Sequence, residues 1–153
     1  MPNAFYTLAR DVFTTEFSSQ TGLASLSQIS GWFSANLGQL NTKLHTNFSG
    51  DASDMDSSAG AIFSLMYLRD FNQRAARNAL RGVLTAGGNV LSIQDNDNRI
   101  SFINTKEVAK EYQAAAKDLT AEINNLAYNY CLHGASPRQV VELDATTGTY
   151  FYY

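Results

Sequence analysis

The sequence predicts a mainly α fold: a helical bundle of three long helices and a short N-terminal one, with a β-hairpin insertion at about 90–103 and an extended C-terminal tail over 138–153. Three observations predict it. Apolar residues recur at spacings of three and four through three long segments. Polar caps and glycines bracket those segments. After the third helical segment, and again after Pro137, the apolar residues become β-prone runs beside polar turns. The 153 residues, 44% of them hydrophobic, suit one domain, with 1–137 as the bundle and 138–153 as an extension.

Residues 3–14 read as a short helix that Asn3 can cap, with Phe5, Leu8, Ala9, Val12 and Phe13 on one face. Thr14 to Gly22 is polar and reads as a connection. The second helix starts near Ser25, where Ser25 and Gln28 fit a capping box. Leu26, Ile29, Phe33, Leu37, Leu40 and Leu44 then form its apolar stripe. Gly31 and Gly38, two turns apart, would let another helix approach closely. Residues 47–58 form a loop that ends in Asp56 or Ser57 as cap for the third helix, which runs from 57 to about 84 and stops at Ala86-Gly87-Gly88. Val90, Leu91 and Ile93, then Ile100, Phe102 and Ile103, flank the polar turn Gln94 to Arg99 as a hairpin. Asn104-Thr105 opens the fourth helix. Its stripe is Val108, Tyr112, Ala115, Leu119, Ile123, Leu126 and Tyr130, and Gly134 and Pro137 end it.

Charged residues are 16%, below the usual quarter, so Asn, Gln, Ser and Thr must cover much of the surface. Such a surface suits a protein surrounded by other protein. The net charge of −3 argues against a grip on nucleic-acid phosphates, which needs clustered Lys and Arg. The single cysteine, Cys131, excludes an intramolecular disulfide. The first residues lack the basic and apolar regions of a signal peptide, and no apolar run approaches a membrane span. No membrane partner is expected.

Familiar site patterns fail on spacing. A calcium loop counted from Asp54 meets Ala59 at the turn position and Leu65 where a bidentate Glu belongs; one counted from Asp95 places Arg99 among the ligands. His45 and His133 end separate helices, where each complements the negative dipole end. Cys131 and His133 stand two apart, which on a helix does not bring them together, and Cys131 reads as a buried thiol. No nucleophile elbow, P-loop or dinucleotide fingerprint occurs. No catalytic, metal or cofactor residue is therefore assigned, and the chain is expected not to be an enzyme.

Contact residues are more legible. Arg74, Arg77 and Arg81 share one face of the third helix, either as a solvated face or as partners for carboxylates on a neighbour. The tail carries Val140, Val141 and Leu143 and reaches Tyr150, Phe151, Tyr152 and Tyr153, with no charged residue after Asp144. Four adjacent rings in water are an aggregation hazard, so the tail either folds back on its own domain or adds to a neighbour.

The order of elements resembles the head–tail connector (adaptor or neck) proteins of tailed bacteriophages. The resemblance lies in Ile29-Ser30-Gly31-Trp32-Phe33 running into Leu37-Gly38-Gln39-Leu40-Asn41. It continues through Ile62-Phe63-Ser64-Leu65-Met66-Tyr67-Leu68 to Arg77-Asn78-Ala79-Leu80-Arg81-Gly82, and on to the fourth helix and tail. It implies a helical-bundle subunit of a ring, commonly of about twelve copies, between portal and tail around the DNA channel. The implied partners are further copies of the chain, the portal protein and tail or neck proteins, with DNA passing through unbound. The implied location is the virion, assembled in host cytoplasm. Asp95, Asn96, Asp97, Asn98 and Arg99 would be an exposed hairpin tip or face the lumen. The alternative expectation is a small soluble helical protein-binding module with its tail folded back on itself.

Overall fold

Among the described residues of the computed structural model there are four helices: α1 (Ala4–Thr15), α2 (Leu26–Leu44), α3 (Ser57–Thr85) and α4 (Thr105–Ala135). Between α3 and α4, β1 (Ser92–Asp95) pairs antiparallel with β2 (Asn98–Ser101), with Ile93 opposite Ile100 and Asp95 opposite Asn98. The structure describes residues 4–50, 55–85, 92–95, 98–101 and 105–135. The expected roles of Asn3, Asp54, the 86–88 stop and the tail fall outside the described residues.

Local chemistry starts the two central helices. Ser25 Oγ accepts the Gln28 amide at 3.3 Å and Gln28 Oε1 accepts the Ser25 amide at 3.2 Å, which completes the capping box of α2. Asp56 Oδ1 accepts the Ala59 amide at 2.7 Å and caps α3. Its other oxygen accepts the Tyr130 hydroxyl of α4 at 2.9 Å, so one carboxylate starts one helix and anchors another. Helix α2 ends at His45, whose left-handed backbone (φ 54°) returns its amide to Asn41.

The core is aromatic. Phe33 of α2 meets Phe63 of α3 at 4.8 Å between ring centres, and Trp32 meets Tyr67 at 5.4 Å. Ile29, Leu40, Leu44, Ile62 and Met66 close around them. Phe17 joins this core although it lies in the stretch expected to be a polar connection. Its ring packs edge-on against Phe71 at 4.9 Å. Just after it, Ser18 and Ser19 take left-handed backbone (φ 46° and 60°), and the Ser19 amide bonds back to the Phe13 carbonyl at 3.0 Å, which reverses the chain after α1. Gly50 (φ 91°) lets the loop after α2 cross the Phe5 ring; a Cβ there would lie 2.7 Å from it.

The buried line of α4 differs from the expected stripe. Ala109, Ala116, Ile123 and Ala127 are buried, whereas Tyr112 and Leu126 are exposed. The helix is rotated toward its alanines, because small residues let α3 and α4 lie close along a long seam. The two helices run antiparallel: Tyr130 meets the start of α3, and Leu119 flanks the same groove as Phe71. The main core takes in α3 as far as Phe71 and α4 from Ile123 onward. Beyond it, the buried described residues are Ala76, Ala109 and Ala116. The two longest helices, about 45 Å each at 1.5 Å per residue, thus outreach the α1–α2 layer.

Candidate interaction surfaces

The arginine face of α3 divides on inspection. Arg74 is held within the chain: its Nε lies 3.1 Å from Asp70 Oδ2, and its guanidinium stands 6.0 Å from the centre of the Tyr67 ring. The same Asp70 oxygen accepts the Trp32 indole N–H at 2.9 Å. Asp70 therefore fixes the one tryptophan and orients Arg74 together. Burial pushes the Tyr67 hydroxyl above its ordinary pKa of 10.0, and Arg74 partly opposes that shift. Arg77 and Arg81 are exposed further along α3, past the core.

The strands β1 and β2 include Asp95, Asn98 and Arg99 of the expected tip; Asn96 and Asp97 lie outside the described residues. Val140, Val141, Leu143, Tyr150, Phe151, Tyr152 and Tyr153 lie outside them as well.

Two grooves that the sequence did not announce meet at the C-terminal half of α2. One lies between α2 and α4, with Gly38, Ala35 and Ala127 among its lining and Tyr128 beside them. The other opens between the end of α2, the start of α3 and the last turns of α4, with Ile62 and Leu126 contributing apolar surface. His45 and Cys131 line both. A Cβ added at Gly31 or Gly38 would meet nothing within 4 Å, so the close helix approach expected there does not occur among the described residues. Lys43 Nζ donates to Asn124 Oδ1, tying α2 to α4 across the groove.

Cys131 is half-buried rather than buried, because it sits where α2 ends and the groove opens; its thiol donates to the Leu44 carbonyl at 3.5 Å. His45, His133, Asp56 and Cys131 all line the second groove. Among the described residues, however, no three His, Cys, Asp or Glu side chains come together as a metal site would require. No described helix is long and apolar enough to cross a membrane.

Sequence reasoning missed Tyr128, 68% exposed, and Leu132, 54% exposed, one turn apart on α4. Their signal was available: both fall off the apolar stripe, where a bundle helix normally carries polar residues. No protein-family model, no curated protein and no solved structure matches this chain.

Proposed function

We propose that this chain is a non-enzymatic structural subunit of a virion, a head–tail connector of the adaptor or neck type, forming a ring between portal and tail around the DNA channel. The observation that supports the reading most is the reach of α3 and α4 beyond the α1–α2 layer. Among the described residues, the outer part of that pair buries Ala76, Ala109 and Ala116, and such a surface suits a subunit that completes itself against neighbours. In this reading Arg77 and Arg81 meet carboxylates of an adjacent copy, and the 92–101 insertion stands out toward the lumen. The segment 138–153 is the docking arm. The acidic balance of the chain keeps DNA sliding rather than bound.

Mass measurement across a range of concentrations, followed by negative-stain imaging, tests the reading. Annular particles are expected. Deleting 138–153 should leave thermal unfolding unchanged and abolish assembly. A chain that stays monomeric throughout and unfolds when 138–153 is removed would refute the connector and leave a helical binding module folded on its own tail.

A further inference from the structure

Charge along α4 is sorted rather than mixed. Lys110 and Lys117 each directly follow a buried alanine, Ala109 and Ala116, so both stand about 100° to one side of the seam with α3. Arg77 follows the buried Ala76 of α3 in the same way, and because the two helices run antiparallel the same rotation brings it to the same flank. Glu122 precedes the buried Ile123 and stands about 100° to the other side, with Glu111 and Asp118 further round at about 160°. On that second flank Asp118 and Glu122 border a groove floored by Leu68, Phe71 and Leu119, and Glu16, just after α1, adds a third carboxylate. All of these charged side chains are exposed. The sorting gives α4 no internal gain. Its charged pairs four residues apart are Lys106 with Lys110, Glu107 with Glu111 and Asp118 with Glu122, all like-charged, which costs a helix rather than supports it. Among the described residues, Arg77, Lys110, Glu111, Lys117, Asp118 and Glu122 form no ion pair.

We propose that the cationic flank of the α3–α4 pair docks on the acidic flank of a second copy of the chain, with Lys110 facing Glu111, Lys117 facing Asp118, and Arg77 beside them. Charge complementarity is the first argument, and the groove adds apolar surface along which the lysine stems can lie. Spacing is the second and selects a second copy. Lys110 and Lys117 are seven residues apart, and so are Glu111 and Asp118. Each acid directly follows its lysine, so the two rows sit at the same height on the helix to within about 1.5 Å. A neighbour standing beside the chain, with its α4 parallel, meets both rows in step without sliding along the axis. An unrelated partner would have to reproduce that interval. The chain cannot use it on itself, because both rows ride on one helix. Such a contact joins unlike surfaces side to side, and repeated it closes a ring or runs on as a filament. The inference rests on the self-assembling subunit proposed above and names its lateral contact.

Charge reversal in the full chain tests it, at low salt, where surface charges are least screened. Lys110→Glu with Lys117→Glu makes both flanks acidic. Glu111→Lys with Asp118→Lys makes both cationic. Each double variant alone should lose self-association in sedimentation by about a hundredfold, because like charges then face each other. Circular dichroism should show both folded as the parent is, since all four positions are exposed. Mixed in equal amounts, the two should recover the parent's assembly as alternating, one-to-one complexes. A chain with all four reversals should recover it alone, since its flanks have exchanged sign. If the double variants assemble as tightly as the parent, these flanks are not the contact; this inference then fails and the connector reading stands. If each is weakened but the mixture does not recover, the two rows do not meet each other, and the inference fails again. A parent that stays monomeric at about 1 mM overturns it, whatever the deletion of 138–153 shows. Recovery in the mixture with open filaments in place of closed rings upholds the flank contact and overturns the connector.

Discussion

Asp56 is where one side chain does two separable jobs, so its removal has a magnitude that can be worked from the structure. Its Oδ1 caps α3 through the Ala59 amide at 2.7 Å, and its Oδ2 receives the Tyr130 hydroxyl at 2.9 Å. A lost N-cap costs about 1 kcal/mol. A lost hydrogen bond to a partly exposed carboxylate costs about 1 kcal/mol more. Asp56→Ala should therefore destabilise by about 2 kcal/mol. Asp56→Ser keeps a capping oxygen but cannot reach Tyr130, and should cost about half as much. Tyr130→Phe removes the same interhelix bond from the other side, again for about 1 kcal/mol. The double variant Asp56→Ala with Tyr130→Phe should then cost about 2 kcal/mol rather than 3, a coupling of about 1 kcal/mol. Urea unfolding followed by the fluorescence of Trp32, which is packed against Phe63 and Tyr67, reads all four. Additive losses in the double variant would refute the shared bond. An Asp56→Ser as damaging as Asp56→Ala would refute the cap.

Gly50→Ala should destabilise by about 2 kcal/mol or more in the same assay, because φ is 91° and the new Cβ lies 2.7 Å from the Phe5 ring. Gly31→Ala should do the reverse and stabilise by about 0.5–1 kcal/mol, since its Cβ meets nothing and the helix gains propensity. Ala116→Leu should cost about 1–3 kcal/mol by forcing α3 and α4 apart, and calorimetry should show a lowered melting temperature. Tyr130 is raised above 10.0 by burial first and then by its bond to Asp56; Tyr67 is raised by burial. A folded state that holds these protons more tightly keeps its full advantage below the ordinary tyrosine value and loses it as pH rises through the folded one. Stability should accordingly fall above pH 10, and less steeply in Tyr130→Phe, as alkaline urea titrations would show.

What the sequence made legible was local. The Ser25–Gln28 box, the Asp56 cap and the stripe of α2 each depend on residues within a turn or two, and each forms as its spacing requires. What it hid depended on neighbours far along the chain. Phe17 looked like an apolar residue stranded in a polar connection, yet it packs into the core against Phe71, just before the left-handed turn at Ser18 and Ser19. Asn41 looked like an ordinary polar residue of α2. Its side chain in fact accepts the Phe48 amide at 2.9 Å and donates to the Phe48 carbonyl at 3.0 Å, holding the following loop as a strand partner would. The α4 stripe misled because pattern reading weights large residues, whereas a close helix pair selects small ones. The groove was illegible for the same reason: Gly38, Ala35 and Ala127 record a surface by what they leave out.

The two halves of the α3–α4 pair are held by different physics, and that difference bears on how the molecule could assemble. Near the end of α4, the pair is pinned by Phe63, Tyr67, Ile123 and the Asp56–Tyr130 bond. A buried ring or branched side chain contributes roughly 1.5–3 kcal/mol. At the other end the buried described contacts are Ala76, Ala109 and Ala116, and a buried methyl contributes about 0.8 kcal/mol. Among the described residues, the distal half of the seam thus gains less apolar burial than the anchored half. In the proposed assembly, a partner that covers Leu80 and Tyr112 would add apolar burial that these alanines do not supply. Lining the whole pair with large residues would have made a sturdier monomer and pushed the helices apart. The alanine seam instead keeps them close and leaves the larger side chains on the outside.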